Sequence, residues 1–261
     1  MQHHGLDAEP AAGDQRSGAA AGEHGGGAWA TALIVFSGPG HACDLAARLR
    51  ARGVRVDVVD TKVGGDAHDV LRQDVGGRLI ARTRRGEYDV VFIATPCESF
   101  SVAHRPQLRS RQQPDGLRNA PPEWAAYLHK HNALAAWSAR LAAAADEAGA
   151  AWAIENPADR GDSASPAHWE RFSDHAPLWL STPIRELELA TGARRRTFAQ
   201  CALGGVAQKW TMLLHSAGWE QLAELDELGC PHGIEKHAEV AHGRDAQGRG
   251  RARLAAAYPP R

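Results

Sequence analysis

The sequence predicts an α/β fold with a mostly parallel central sheet. Three observations carry this. Short apolar runs rich in strand formers alternate with helical periodicity from residue 31 to about 155. The first run leads through a Gly-rich turn and a helical stretch into a second strand, which is a βαβ order and makes the two strands parallel. Tyr88-Asp89-Val90-Val91-Phe92-Ile93-Ala94 then reads as a strand buried on both faces.

Order is expected to begin near Trp29. Thr31 to Phe36 is the first strand and stops at Ser37-Gly38-Pro39-Gly40. A helix follows, with Ala42, Leu45 and Leu49 on one face and Gly53 as its stop. Val54 to Val59 alternates as a strand and ends at Asp60. Leu71 to Arg85 holds a short helix, and the Tyr88 to Ala94 strand ends at Thr95-Pro96-Cys97. Residues 104–121, with three prolines and several arginines, read as a loop. Glu123 to Ala148 is the longest helix: Trp124, Tyr127, Leu128, Leu134, Trp137 and Leu141 recur at helical spacing, and Gly149 closes it. Ala150 to Ile154 is the next strand and ends at Glu155-Asn156-Pro157. After residue 180 the pattern is less regular. Strands are expected over Thr197 to Leu203 and Trp210 to Leu214, a helix over Trp219 to Leu228, and irregular chain over 243–253.

The 261 residues suit one full-sized domain with tails. Residues 1–28, rich in Ala, Gly and short polar side chains, bury too little apolar surface to offset chain entropy and are expected to be disordered. Residues 29–200 form the principal domain, and 201–261 a small irregular extension packed on it. No apolar run is long enough for a membrane span, and no basic-then-apolar leader pattern stands at the start. Four cysteines in a chain of this length argue against a disulfide scaffold, so an intracellular compartment, nuclear or cytoplasmic, is expected. A net charge of −1 excludes a polycation, and any nucleic-acid contact must come from local basic patches.

Ligands of open α/β sheets bind at the carboxyl ends of the strands. Four predicted strands end there in chemically useful residues. Gly38 and Gly40 let a backbone approach a ligand closely. Asp60, about twenty residues on, has the spacing of a carboxylate that meets ribose hydroxyls. Cys97 and Glu155 close the third and fourth strands. Singly, each feature is weak: a lone cysteine is usually a small buried hydrophobe, and a lone Asp a cap. On one edge, in this order, they form a sharper constellation.

These residues resemble the DNA cytosine-5 methyltransferases. Phe36-Ser37-Gly38-Pro39-Gly40 matches that family's Phe-x-Gly-x-Gly turn, and Pro96-Cys97-Glu98-Ser99-Phe100-Ser101 its Pro-Cys-Gln-x-Phe-Ser segment at all positions but Glu98. Glu155-Asn156-Pro157 stands in place of Glu-Asn-Val, and Arg194-Arg195-Arg196 echoes a Gln-x-Arg-x-Arg segment. A divergent branch from algae, phages and mobile elements is more similar still. It shares Cys201-Ala202-Leu203-Gly204-Gly205-Val206-Ala207-Gln208-Lys209-Trp210-Thr211, Cys230-Pro231-His232-Gly233 and the Ala257-Tyr258-Pro259-Pro260 end. The resemblance implies a Rossmann-like S-adenosylmethionine-dependent methyltransferase fold with a small irregular C-terminal extension. Phe36, Ser37, Gly38, Gly40, Asp60, Asp74 and Pro96 would hold the cofactor, Asp60 at its ribose and Asp74 near its adenine. Cys97 would be the nucleophile and Glu155 the acid. Little chain remains for a separate target-recognition domain.

The chemistry follows. C5 of cytosine is a poor nucleophile until a thiolate adds to C6, and a carboxyl group can protonate N3 as it does so. Glu98 beside Cys97 is expected to raise the thiol pKa. Arg105, Arg109 and Arg111, with Arg194 and Arg196, are expected to contact phosphates, with DNA the favoured partner over RNA. A solvated loop and a surface basic run are the plainer alternatives. Cys201, Cys230, His232 and His237 offer zinc ligands, though no paired Cys-x-x-Cys is present; His242 adds a fifth candidate. Besides a DNA enzyme, the sequence admits an RNA cytosine methyltransferase and a catalytically silent nucleic-acid-binding module.

Overall fold

The computed structural model describes residues 30–40, 44–205, 207–232 and 237. The expectations for residues 1–28, Ala42, His242, 243–253 and the Ala257 to Pro260 end lie outside the described residues. The sheet has six strands in the order β2-β1-β3-β4-β6-β5. They are β1 (Thr31–Val35), β2 (Arg55–Val59), β3 (Val90–Ile93), β4 (Ala151–Pro157), β5 (Arg194–Ala199) and β6 (Trp210–His215). β2, β1, β3 and β4 pair in parallel; β6 runs antiparallel to both β4 and β5. The fold is therefore a Rossmann-like α/β sandwich with a mostly parallel sheet, as the sequence predicts.

Among the described residues five α-helices accompany it: α1 (Leu45–Arg50), α2 (Thr61–Gly64), α3 (Gln73–Arg84), α4 (Ala125–Glu147) and α5 (Thr182–Thr191). Side chains alternate across β1, as strand geometry requires. Leu33 and Val35 enter the main core with Leu79 of α3, Trp137 and Leu141 of α4 and Ile184 and Leu187 of α5. Ala32 and Ile34 face a smaller cluster with Ala46 of α1 and Val56. α1 buries Ala46 and leaves Leu45 41% exposed, so its inward face is rotated from the Leu45 stripe of the sequence pattern. The helix expected over Trp219 to Leu228 is a 3-10 segment, Glu220–Glu227, and the strand expected at Thr197 starts three residues earlier, at Arg194.

α5 has no counterpart in the sequence reading. Pro183 stands in its first turn and Gly192 ends it in the left-handed conformation, both ordinary terminus signals. Its exposed Leu189 blurs the apolar stripe that would have revealed it. The boundary expected at residue 200 falls in the turn between β5 and β6, two strands of one sheet, so Trp210–His215 is integral to the principal domain.

α3 and α4 meet where two adjacent glycines differ sharply. A Cβ on Gly76 would lie 2.0 Å from the Val70 carbonyl oxygen and 2.6 Å from Trp137 Nε1, whereas one on Gly77 would meet only the Gln73 side chain at 3.4 Å. Gly76→Ala is therefore expected to destabilise the protein by about 1–3 kcal/mol through overpacking. Gly77→Ala is expected to be neutral or to stabilise by up to about 1 kcal/mol through helix propensity. Urea denaturation of both variants checks the contrast, and equal effects would sink it.

Candidate active site

The order of the strands fixes where a ligand can sit. β1 has β2 on one side and β3 on the other, so the order of connection reverses between β1 and β3, and the carboxyl ends of strands at such a reversal are where ligands of open α/β sheets bind. Val35 is in register with Val59 and Ile93, and Ile93 with Ile154. Phe36, Asp60 and Ala94 therefore leave the sheet along one edge, and Glu155 stands at the same level inside β4, which runs on to Pro157 beside β6.

The turn after β1 is strained at its first residue. Phe36 has φ 64°, unusual for a bulky side chain. It is held there by its N–H, which donates to the Val59 carbonyl at 2.9 Å, and by edge-on packing of its ring against Trp137 at 5.9 Å. Such strain clusters at ligand sites. Gly38 follows at φ 72°, with nothing within 4 Å of where a Cβ would project. Its N–H donates to Asp60 Oδ2 at 2.8 Å, and Lys62 N–H donates to Asp60 Oδ1 at 2.7 Å. Asp60 is thus a buried carboxylate that ties the first turn to the start of α2, with lone pairs left over for a ligand hydroxyl. Ser37 and Gly40 stand exposed on the same turn. Asp74 lies elsewhere, in the first turn of α3, in an exposed ion pair with Arg72 at 3.2 Å; its described contacts do not reach Asp60 or the turn.

The turn after β3 is clamped on three sides. Asn156, fully buried beside Glu155, donates its Nδ2–H to the Thr95 carbonyl at 2.6 Å. The Thr95 hydroxyl donates to Ser138 Oγ of α4 at 3.0 Å. Phe100 N–H donates to the Cys97 carbonyl at 2.9 Å, folding Glu98–Phe100 into one 3-10 turn behind the thiol. Pro96 and Cys97 are half-buried, Glu98 exposed. His175 locks the far side: its Nε2 meets the Phe100 carbonyl at 2.8 Å, and its Nδ1 accepts from Arg160 N–H at 3.2 Å. Burial lowers the His175 pKa, and a neutral ring protonated on Nε2 satisfies both contacts.

Burial pushes the Cys97 thiol up to about 11; the Glu155 carboxylate is the leading charge raising it further, Lys209 opposes, and Glu98 adds a smaller upward push. Glu155 is 7% exposed, and Lys209 Nζ reaches its Oε1 at 3.4 Å. Lys209 immediately precedes β6, the antiparallel neighbour of β4. The sequence reading gave it no role, although it stands in the Gln208-Lys209 pair of a quoted motif. A cluster of rings also escaped it: His104 stacks on Tyr127 at 5.3 Å and meets Trp124 edge-on at 5.4 Å, and Tyr127 approaches His131 at 4.3 Å. His131 Nδ1 lies 4.0 Å from the carboxylate of Glu98, next to Cys97, which brings this aromatic wall to the turn that bears the thiol; burial raises the Tyr127 pKa, and the Glu98 charge adds to it.

The expected phosphate ligands need correction. Arg109 is 2% exposed; it donates to Ser99 Oγ, the Pro114 carbonyl and Asn132 Oδ1, and lies 4.0 Å over the Phe100 ring. Arg111 donates to both oxygens of Asp159 at 2.9 Å and to the His175 carbonyl. These two arginines pin the 104–121 loop to the body instead of offering it to phosphate, because their partners are buried groups that would otherwise be unpaired. Arg196 is likewise engaged by Asp226 at 2.8 Å. Arg105 is exposed and bonds only to backbone carbonyls of its own loop, and Arg194 is half-exposed, 3.8 Å from Glu220.

Cys201, Cys230, His232 and His237 do converge: one ligand atom from each lies within 4.8 Å of the others. Cys97, Cys201 and Cys230 are free thiols.

Neither a protein-family model nor a curated protein matches the chain. Among solved structures, a methyltransferase of Entamoeba histolytica is similar, at 10% identity and a TM-score of 0.38, over 73% of this chain and 53% of that one. The chain spans about half the length of that protein. No helix among the described residues is long and apolar enough to cross a membrane.

The electrostatics around Cys97 give a signed expectation. Its alkylation by iodoacetamide, followed by peptide mass mapping, should be slow at neutral pH and climb toward pH 11 as thiolate forms. At pH 9, Glu155→Gln should speed it several-fold and Lys209→Met should slow it. The opposite order would show that the three groups do not share one field.

Proposed function

We propose that the protein is an S-adenosylmethionine-dependent methyltransferase acting on C5 of cytosine in nucleic acid, DNA in preference to RNA. One observation carries this reading. Cys97 stands in the turn after β3 and Glu155 near the carboxyl end of the adjacent parallel strand β4, with the Asn156 amide clamping that turn to β4, on the same edge as the open Gly38 turn and Asp60.

The residues present fit the cofactor. The strained Phe36 turn, the open space over Gly38 and the spare lone pairs of Asp60 suit a nucleoside with ribose hydroxyls, with Ser37, Gly40 and Pro96 around it. Asp74, paired with Arg72, is the weakest member of the set. Bound there, S-adenosylmethionine supplies an electrophilic methyl group.

The chain's own residues prepare the other reactant. The Cys97 thiolate adds to C6 of the base. The C5–C6 π pair shifts toward C4, and the pair from C4–N3 settles on N3, which takes a proton from Glu155. C5 is now enamine-like and nucleophilic. After methylation the C5 proton leaves to solvent, the N3 proton returns to Glu155, the S–C6 bond breaks, and Cys97 departs as thiolate. The Glu155 carboxylate raises the Cys97 thiol, and Lys209 opposes it. The base must stand outside a duplex stack to be reached. The His104–Tyr127–Trp124 wall beside the thiol offers rings on which a flipped base stacks. Of the cations expected at phosphate, Arg105 and Arg194 remain placed to meet a backbone. Zinc on Cys201, Cys230, His232 and His237 would serve structure in this reading, since protein fills all four positions.

Covalent trapping tests the proposal. The protein is incubated with S-adenosylmethionine and 5-fluorocytosine oligonucleotides, DNA and RNA separately. A denaturation-resistant adduct that Cys97→Ser abolishes is the expected result, on DNA before RNA. An adduct on RNA alone would transfer the activity to that polymer. No adduct on either, with cofactor binding intact by calorimetry, would favour a catalytically silent module.

A further inference from the structure

We infer that a zinc ion bound by Cys201, Cys230, His232 and His237 braces the connection between β5 and β6 and thereby fixes Lys209 against Glu155. The geometry is that of a four-ligand site. Tetrahedral zinc with Zn–S of about 2.3 Å and Zn–N of about 2.0–2.1 Å sets its ligand atoms roughly 3.3–3.8 Å apart. Cys230 Sγ lies 3.4 Å from Cys201 Sγ and 3.3 Å from His237 Nε2. The His232 and His237 rings meet edge-on at 5.1 Å. Two thiols with two imidazoles form a donor set that selects zinc over the hard cations, which take oxygen ligands.

The connection needs such a brace. After β5 the chain makes a 3-10 turn, Gln200–Leu203, then passes through Gly204 in the left-handed conformation to reach β6. That short irregular stretch carries Cys201, 5% exposed, on one side and Lys209 on the other. Three contacts tie the cluster to Lys209. Gln208 Nε2–H donates to Cys230 Sγ at 3.7 Å, the kind of outer hydrogen bond that supports a ligating thiolate. Gln200 N–H, beside Cys201, donates to the Lys209 carbonyl at 2.9 Å. Ala199 N–H donates to the Leu228 carbonyl at 2.8 Å, bringing the segment that carries Cys230 against the end of β5. Lys209 is thus held from both neighbours by residues that themselves hold the ligands, and its Nζ reaches Glu155. Lys209 is a positioning residue for the Cys97–Glu155 pair, and the ion fixes Lys209.

The metal content stands independently of the proposed function; only the meaning of its link to Glu155 rests on that reading. Full-length protein purified under reducing conditions without added metal is analysed by elemental mass spectrometry. Wild type and Cys97→Ser should hold stoichiometric zinc, and Cys230→Ser and His237→Ala should lose it. Cobalt substitution of wild type should give the visible bands of a tetrahedral thiolate site. Zinc removal by a chelator should slow alkylation of Cys97 to the rate of Lys209→Met, with circular dichroism of the sheet retained. Zinc-free wild type, a wild type lighter by two hydrogens through a Cys201–Cys230 disulfide, or full zinc in Cys230→Ser would overturn the site. If the ligand variants do not fold, the wild-type zinc and cobalt measurements decide alone. Unchanged alkylation after zinc loss would overturn the link to Glu155 while leaving the site.

Discussion

The arrangement at the candidate site depends on the parallel register of β1 with β2 on one side and β3 on the other. Parallel pairing brings the carboxyl ends of β1, β2, β3 and β4 to one edge, and the reversal of order between β1 and β3 leaves room there. Residues far apart in sequence, Phe36, Asp60, Cys97 and Glu155, are thereby neighbours without any of them forming the fold. What holds the register is ordinary burial: Leu33, Val35, Val91, Ile93 and Ile154 are at or near zero exposure and pack on α3, α4 and α5. On that rigid edge a few polar contacts set the fine geometry. The Asn156 amide on the Thr95 carbonyl is the most consequential, because it joins the turn bearing Cys97 to the strand bearing Glu155 in a site where an unpaired carbonyl would cost stability.

Much of this was legible in the sequence, and the reason is local. β1, β2, β3 and β4 announce themselves as apolar runs, and each carries its chemistry at or within a few residues of the strand's carboxyl end, where motif and strand end meet. The four metal-ligand candidates were also recognisable by residue type alone, although their spacing fits no standard pattern. Cys201 and Cys230 are separated by β6 and a 3-10 segment, so sequence spacing does not report distance there. What sequence could not reveal is pairing across the sheet. Lys209 reaches Glu155 only because β6 inserts antiparallel between β4 and β5, a topological fact with no local signature. Asp60 offers a half-way case. Its type and spacing suggested a ligand carboxylate, yet it also caps α2 and braces the Gly38 turn, which no pattern distinguishes from ligand binding.

The arginines show why a charge run is a poor guide to a binding face. Arg109, Arg111 and Arg196 stand in stretches that look like solvated basic surface, and each is engaged inside the protein. The physical reason lies in their partners. Ser99, Asp159, His175 and Asn132 crowd the segments behind Cys97, and a guanidinium with five donors in a fixed fork can serve several of these acceptors at once. The 104–121 loop is therefore part of the wall beside Cys97. With a net charge of −1 and these cations turned inward, the aromatic cluster of His104, Trp124 and Tyr127 is a more distinctive feature of that wall than any broad positive surface.

That inward use of charge extends to the reacting groups. Cys97 sits where burial and Glu155 keep its proton on, and Lys209 is the group that opposes them. In the absence of a base the thiol is protected from oxidation and adventitious alkylation, since reactivity follows the thiolate. Lys209 sets how far that hold on the proton is relaxed, and its position is fixed by a connection with almost no regular structure of its own. Coupling an irregular segment to the electrostatics of a buried pair is a task that packing performs poorly and that a four-ligand cluster, rigid in angle and distance, performs well.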